Sequence, residues 1–175
     1  MPLNELIEIV VPTALIVVLV WAAISDVSSL TIPNAAVLAV VGLFALRTLA
    51  HGGQDVWSGL AAAGVTFIAM TVLYARGVVG GADSKLLSAV ALFAGLHHLL
   101  GLLVITTMVG GVIALYVLAQ HPRRTWAMLI TRCADDHGPH VPYGVPIALG
   151  GMLMIWSEVD SSPVAALLRE RIFAS

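Results

Sequence analysis

Charge is scarce in this chain. Asp, Glu, Lys and Arg make up 10% of its 175 residues, where a soluble domain carries about 25%. So few charges cannot clothe a water-facing surface. Cysteine is almost absent too. Cys133 stands alone, which excludes an intrachain disulfide and any four-cysteine zinc site. No cluster of Lys and Arg forms the basic footprint that nucleic acid requires, so no nucleic-acid partner is expected. Met1 to Glu8 contains acids and no Lys or Arg, so the N-terminus lacks the basic segment of a cleavable signal peptide.

Apolar sequence fills the space. Hydrophobic residues are 59% of the chain and the mean hydropathy is +1.00. Backbone groups in lipid must be satisfied within their own segment, which leaves helices for apolar runs of this length. The expected fold class is therefore an all-α membrane protein, a polytopic bundle of about six transmembrane helices. The first run is Leu6 to Ser25, followed by a polar connection from Asp26 to Asn34 in which Pro33 disfavours a helical junction and can open the next helix. The second run is Ala35 to Ala50 and the third Trp57 to Tyr74, where Gly59, Ala63 and Gly64 allow close helix contact. Leu86 to Gln120 is apolar for 35 residues, about 52 Å as one helix. That is too long for one span, and His97, His98 and Gly101 mark the expected break into Leu86–Leu96 and Leu99–Gln120. After the polar loop from His121 to Pro142, a sixth run reaches Trp156. Residues 1–175 read as one transmembrane domain, with 158–175 a surface-lying tail.

Lys and Arg set the orientation. The connections after the first, third and fifth runs hold Arg76, Lys85, Arg123, Arg124 and Arg132, five of the eight basic residues. The other side holds Arg47, and Arg169 and Arg171 in the tail. Those three connections are expected to face the cytoplasm, and the N-terminus the outside.

Two acids stand where chemistry is possible. Asp26 closes the first run, and Asp83 follows Gly80-Gly81 just before the fourth. Each by itself is adequately read as a solvated loop charge. Both, however, fall on the same expected membrane face, at span ends that a bundle can bring together. Glycines beside Asp83 let an extended backbone approach closely. If the helix starts at Ser84, Asp83 is its N-cap. Two carboxylates sharing a site cannot both ionise easily, so the pair keeps one proton. The ionised member can then take a proton from water while the protonated member hydrogen-bonds a carbonyl.

Three stretches carry a resemblance. Asp26 followed by Ile32-Pro33-Asn34, then Gly80-Gly81-Ala82-Asp83-Ser84-Lys85-Leu86-Leu87, then Val141-Pro142-Tyr143-Gly144-Val145-Pro146 resemble, in order, the signatures of the type IV prepilin peptidases. The resemblance implies a membrane aspartic endopeptidase that cuts the leader peptide from prepilins or pseudopilins at the cytoplasmic face of the inner membrane. It implies Asp26 and Asp83 as the catalytic pair, with Gly80, Gly81 and Lys85 as candidate substrate contacts, and no metal or other cofactor. Ala82 replaces the family's glycine, and Ser28-Ser29-Leu30-Thr31 lacks the basic residues often found there. With no cysteine-rich insert, the chain resembles the short branch serving Flp-type tight-adherence pili. Its expected partners are the substrate and the bilayer; oligomeric state is left open.

Other candidates weigh less. Cys133, His137 and His140 share a loop, but their spacing matches no standard zinc pattern. Adjacent His97 and His98 point about 100° apart on a helix. Lys85, two residues from Asp83, has the wrong helical offset to face it, and reads as a cytoplasmic anchor as well as a substrate contact. Arg123 and Arg124 read as anchors, and Gly110-Gly111 as helix packing. Two non-peptidase readings compete: a non-catalytic membrane assembly subunit, in which either Asp tolerates Asn, and a small proton-coupled transporter, which would place its acids nearer the midplane.

Overall fold

The computed structural model describes residues 3–29, 31–53, 56–77, 79–120 and 143–160. They form five helices: α1 (Leu3–Ser29), α2 (Asn34–Ala50), α3 (Val56–Ala75), α4 (Gly81–Gln120) and α5 (Gly144–Asp160), with no strand among the described residues. Leu6–Ser29, Val56–Ala75 and Gly81–Tyr116 are long and apolar enough to cross a membrane; the apolar helices Asn34–Ala50 and Gly144–Trp156 are shorter. Cys133, His137, His140, Arg123, Arg124, Arg132 and most of the tail lie outside the described residues.

Several boundaries differ from the sequence reading. The first helix does not stop at Ser25 but runs to Ser29. Serine hydroxyls hold its last turn: Ser28 donates to the Ile24 carbonyl at 2.7 Å and Ser29 to the Ser25 carbonyl at 2.7 Å. Asp26 is therefore a helical residue and not part of the connection. Residues 31–33 belong to no helix, in keeping with the bias against helical backbone just before a proline. Pro33 caps α2 with φ −62° and ψ 132°.

The second difference is the break in α4. It falls at Gly95, not at His97-His98-Gly101. Gly95 has φ 56° and ψ −177°, a conformation open almost only to glycine. The Leu96 N–H, which loses its helical acceptor at the break, donates to Ser58 Oγ of α3 at 3.0 Å. Likewise α4 starts at Gly81, so Asp83 sits in its first turn and is not its N-cap.

Before the break, residues 81–94 form the centre of the bundle. Every residue from Leu86 to Ala94 is buried, so this arm is covered on all sides. Helices α2, α3 and α5 pack on α4, and α1 packs on α2 and α5. At the α3 contact, Gly59 is the small residue that matters. A Cβ there would lie 2.6 Å from the Leu92 carbonyl and 2.7 Å from the Phe44 ring. Gly64 faces open space. Phe44 of α2 meets Phe93 of α4 edge to face, with centroids 5.5 Å apart.

Outside this centre the surface is apolar. Leu49, Trp57 and Leu100 are 82%, 81% and 76% exposed. Patches of this kind are a liability in water and ordinary against lipid.

Candidate active site

The buried stripe of α1 runs Val11, Leu15, Leu19, Ala22, Asp26. Steps of four, four, three and four residues keep one face inward. The last position on that face is a carboxylate. Asp26 is only 5% exposed, and a buried carboxylate needs hydrogen-bond donors. The Gly144 N–H, at the start of α5, donates to Asp26 Oδ2 at 2.7 Å. Helix N-termini favour such an acceptor, because their first N–H groups lack internal partners.

Asp83 arrives from the other side. It lies in the first turn of α4, half-buried, with its carboxylate folded back over Gly80. The carboxylate folds so closely over Gly80 that a Cβ on residue 80 would stand 2.7 Å from Asp83 Oδ2. The charges of Asp26 and Asp83 interact, so the two carboxylates share one end of the bundle although α1 packs chiefly on α2 and α5. Gly81 lies under the Tyr74 ring of α3, at 3.2 Å from a would-be Cβ. Lys85, about 200° round the helix from Asp83, is exposed.

The glycines before Asp83 thus have a structural use that the sequence reading did not assign them. They leave room for the carboxylate itself and for Tyr74. Gly144 went unassigned altogether, although the Pro-Tyr-Gly stretch was noted. The only signal in the sequence was a glycine opening an apolar run after a proline, which does not reveal what it faces.

The opposite end of the bundle is chemically different. There Glu8 Oε1 of α1 lies 3.4 Å from His51 Nε2 just past α2. A cavity of about 220 Å³ beside them is lined by Arg47, His51, Ser58, Phe93, His97 and His98 among others. Arg47 lies over the Phe93 ring at 5.9 Å. Among the described residues this end gathers bases and shows no carboxylate pair. Among the described residues no three His, Cys, Asp or Glu side chains converge as metal ligands.

A family model described as the type IV leader peptidase family matches residues 13–115, well over half of the chain. That stretch contains Asp26, Gly80, Gly81 and Asp83 and ends before α5. No match was found among curated proteins or among solved structures.

Proposed function

The chain belongs to the type IV leader peptidase family, and from that premise we propose that it is an aspartic endopeptidase in which Asp26 and Asp83 work as one acid–base pair. Family membership makes leader cleavage of prepilins its general activity. The observation that supports the finer reading is that these two carboxylates come close enough for their charges to act on each other. They are 57 residues apart in sequence, yet they stand on different helices within electrostatic reach at one end of the bundle.

With one proton held between them, the ionised carboxylate takes a proton from water as the water oxygen attacks the scissile carbonyl carbon. The protonated carboxyl donates to the carbonyl oxygen. When the tetrahedral species collapses, the C–N bond breaks and the amine nitrogen takes a proton from the pair. Water and peptide bond become a carboxyl and an amine, with nothing left over. The half-buried position of Asp83 leaves it open to an arriving chain, and Gly80, exposed beside it, is the natural point of backbone approach. Gly81 and Lys85 flank that approach, Lys85 as a contact for the substrate or for lipid phosphate.

The remaining parts of the proposal follow the charge pattern and the resemblance. The helical segments on either side of Gly95 each count as a span, giving six, in a single peptidase domain. The end carrying the aspartates faces the cytoplasm from the inner membrane, which fits the basic residues Arg76 and Lys85 beside it. The substrates are prepilins or pseudopilins, with the Flp-type pilins of the short branch first among them.

The test is co-expression with a Flp-type prepilin, reading the mobility shift that leader removal causes. Asp26→Asn and Asp83→Asn should each abolish the shift while the protein still inserts. Near-normal processing by Asp26→Asn would sink the aspartic reading.

A further inference from the structure

We infer that the backbone N–H of Gly144 is a positioning group of the active site, holding one oxygen of Asp26 so that the other is presented to water. This rests on the acid–base reading of Asp26 given above. The family match ends at residue 115, so the role is argued from geometry alone.

The contact is close on every side. Gly144 and Asp26 are both buried, and the N–H reaches Oδ2 at 2.7 Å. A Cβ on residue 144 would lie 2.8 Å from both Cβ and Oδ2 of Asp26 and 3.0 Å from Cγ. The Asp26 Cβ is fixed to the α1 backbone and cannot swing away. Only glycine lets the two backbones approach enough for this hydrogen bond.

The register of α5 against α1 is set to deliver it. Gly151 stands against Leu19, where a Cβ would lie 3.0 Å from Leu19 Cδ1 and 3.1 Å from Val90 Cγ1. Gly144 and Gly151 are seven residues apart, as are Leu19 and Asp26. Two turns of each helix therefore match, running antiparallel, about 10.5 Å along each axis. A second anchor comes from α4. Gly110 leaves room for Tyr143 and Pro146, at 3.4 and 3.6 Å from a would-be Cβ. A slip of α5 by a single residue would rotate the Gly144 N–H about 100° away from Asp26. Since Oδ2 is committed to the amide, Oδ1 is the oxygen left to exchange a proton with water or substrate.

The experiment compares the full-length Gly144→Ala and Gly151→Ala proteins with wild type in detergent, on a purified prepilin. A misplacement of about 1 Å at a reacting group costs on the order of 10²-fold. Gly144→Ala should therefore lower kcat about 10²-fold and change KM less than about twofold. Gly151→Ala presses on Leu19 Cδ1 and on the stiffer Val90 Cγ1, two turns away from Asp26; it should lower the thermal midpoint more than Gly144→Ala does and lower kcat far less, within about threefold. A normal kcat in Gly144→Ala, or equal losses of kcat and stability in both variants, would overturn the inference. A measurement on the unaltered residue covers a Gly144→Ala protein that fails to fold. The Gly144 amide proton should resonate downfield and exchange slowly in wild type, and lose both properties in Asp26→Ala. An amide indifferent to Asp26→Ala overturns the role as well. Asp26→Asn keeps the two readings apart. If that variant is inactive while Gly144→Ala is fully active, the aspartic reading stands and the positioning role falls.

Discussion

Gly80 and Gly81 are neighbours, yet the side chains above them differ in consequence. The space over Gly80 is taken by Asp83 Oδ2, and the space over Gly81 by the Tyr74 ring. A methyl group at residue 80 displaces a carboxylate proposed to be catalytic. At residue 81 it pushes a ring that can turn aside. Gly80→Ala should therefore fold normally and cleave at least about 10-fold more slowly, and Gly81→Ala should lose less than about threefold, measured as kcat on a prepilin. Equal losses would mean that the glycines serve substrate approach and not the carboxylate. The paired aspartates should show their coupling in the same assay. The Asp26→Asn/Asp83→Asn double variant should be scarcely worse than either single one, because residues acting as a unit are not additive. Cleavage should follow a bell-shaped pH profile whose limits belong to the pair.

Among the elements, α4 depends most on one residue. Its two arms are joined by Gly95 in a conformation that costs other residues about 1–3 kcal/mol, and a Cβ there would also lie 2.9 Å from Ser58 Oγ. Gly95→Ala should lower thermal stability in detergent by at least that order. Ser58→Ala, which strands the Leu96 N–H, should cost about 1 kcal/mol. Neither residue is near the aspartates, so any activity that survives unfolding losses should keep its KM. If Gly95→Ala were neutral, the glycine conformation at the break would not be what fixes it. The end of α1 makes the complementary point. Four extra helical residues, tied down by Ser28 and Ser29, turn Asp26 inward where a loop would have left it in solvent.

For the molecule as a whole, the aspartate end and the Arg47–His51 end face opposite sides of the bundle, so one topology experiment decides both. In a Cys133→Ser background, cysteines at the exposed positions Ser28 and Ala75 should be protected from an impermeant thiol reagent added outside intact cells. A cysteine at His51, at the other end, should react. Labelling of position 28 or 75 from outside would place the proposed active site on the wrong face for a leader still attached to a cytoplasmic segment. The acids stand at helix ends, away from the bundle's mid-height, which a proton-coupled transporter would not favour.

Composition was enough to determine the solvent and the class. A chain with 10% charge and 59% hydrophobic residues, gathered in apolar runs of about 15–20 residues or more, is suited to helices in lipid, where such runs satisfy their own backbone. The runs themselves marked α2 and α3 to within a residue, since Pro33 and the polar turn after Ala50 are local signals. Asp26 and Asp83 were legible because acids at the edges of apolar runs are conspicuous. What lay beyond the sequence depended on contacts between distant segments. The break at Gly95 is chosen by Ser58 of another helix, whereas His97 and His98 only looked like a boundary because they are polar. The burial of Asp26 follows from serine hydroxyls extending α1 and from α5 covering it. The pairing of Gly144 with Asp26, 118 residues earlier, exists because a residue without a Cβ lets the start of α5 lie against the end of α1. Local pattern determines which residues are helical and which are polar; only packing decides which backbone N–H comes to face which carboxylate.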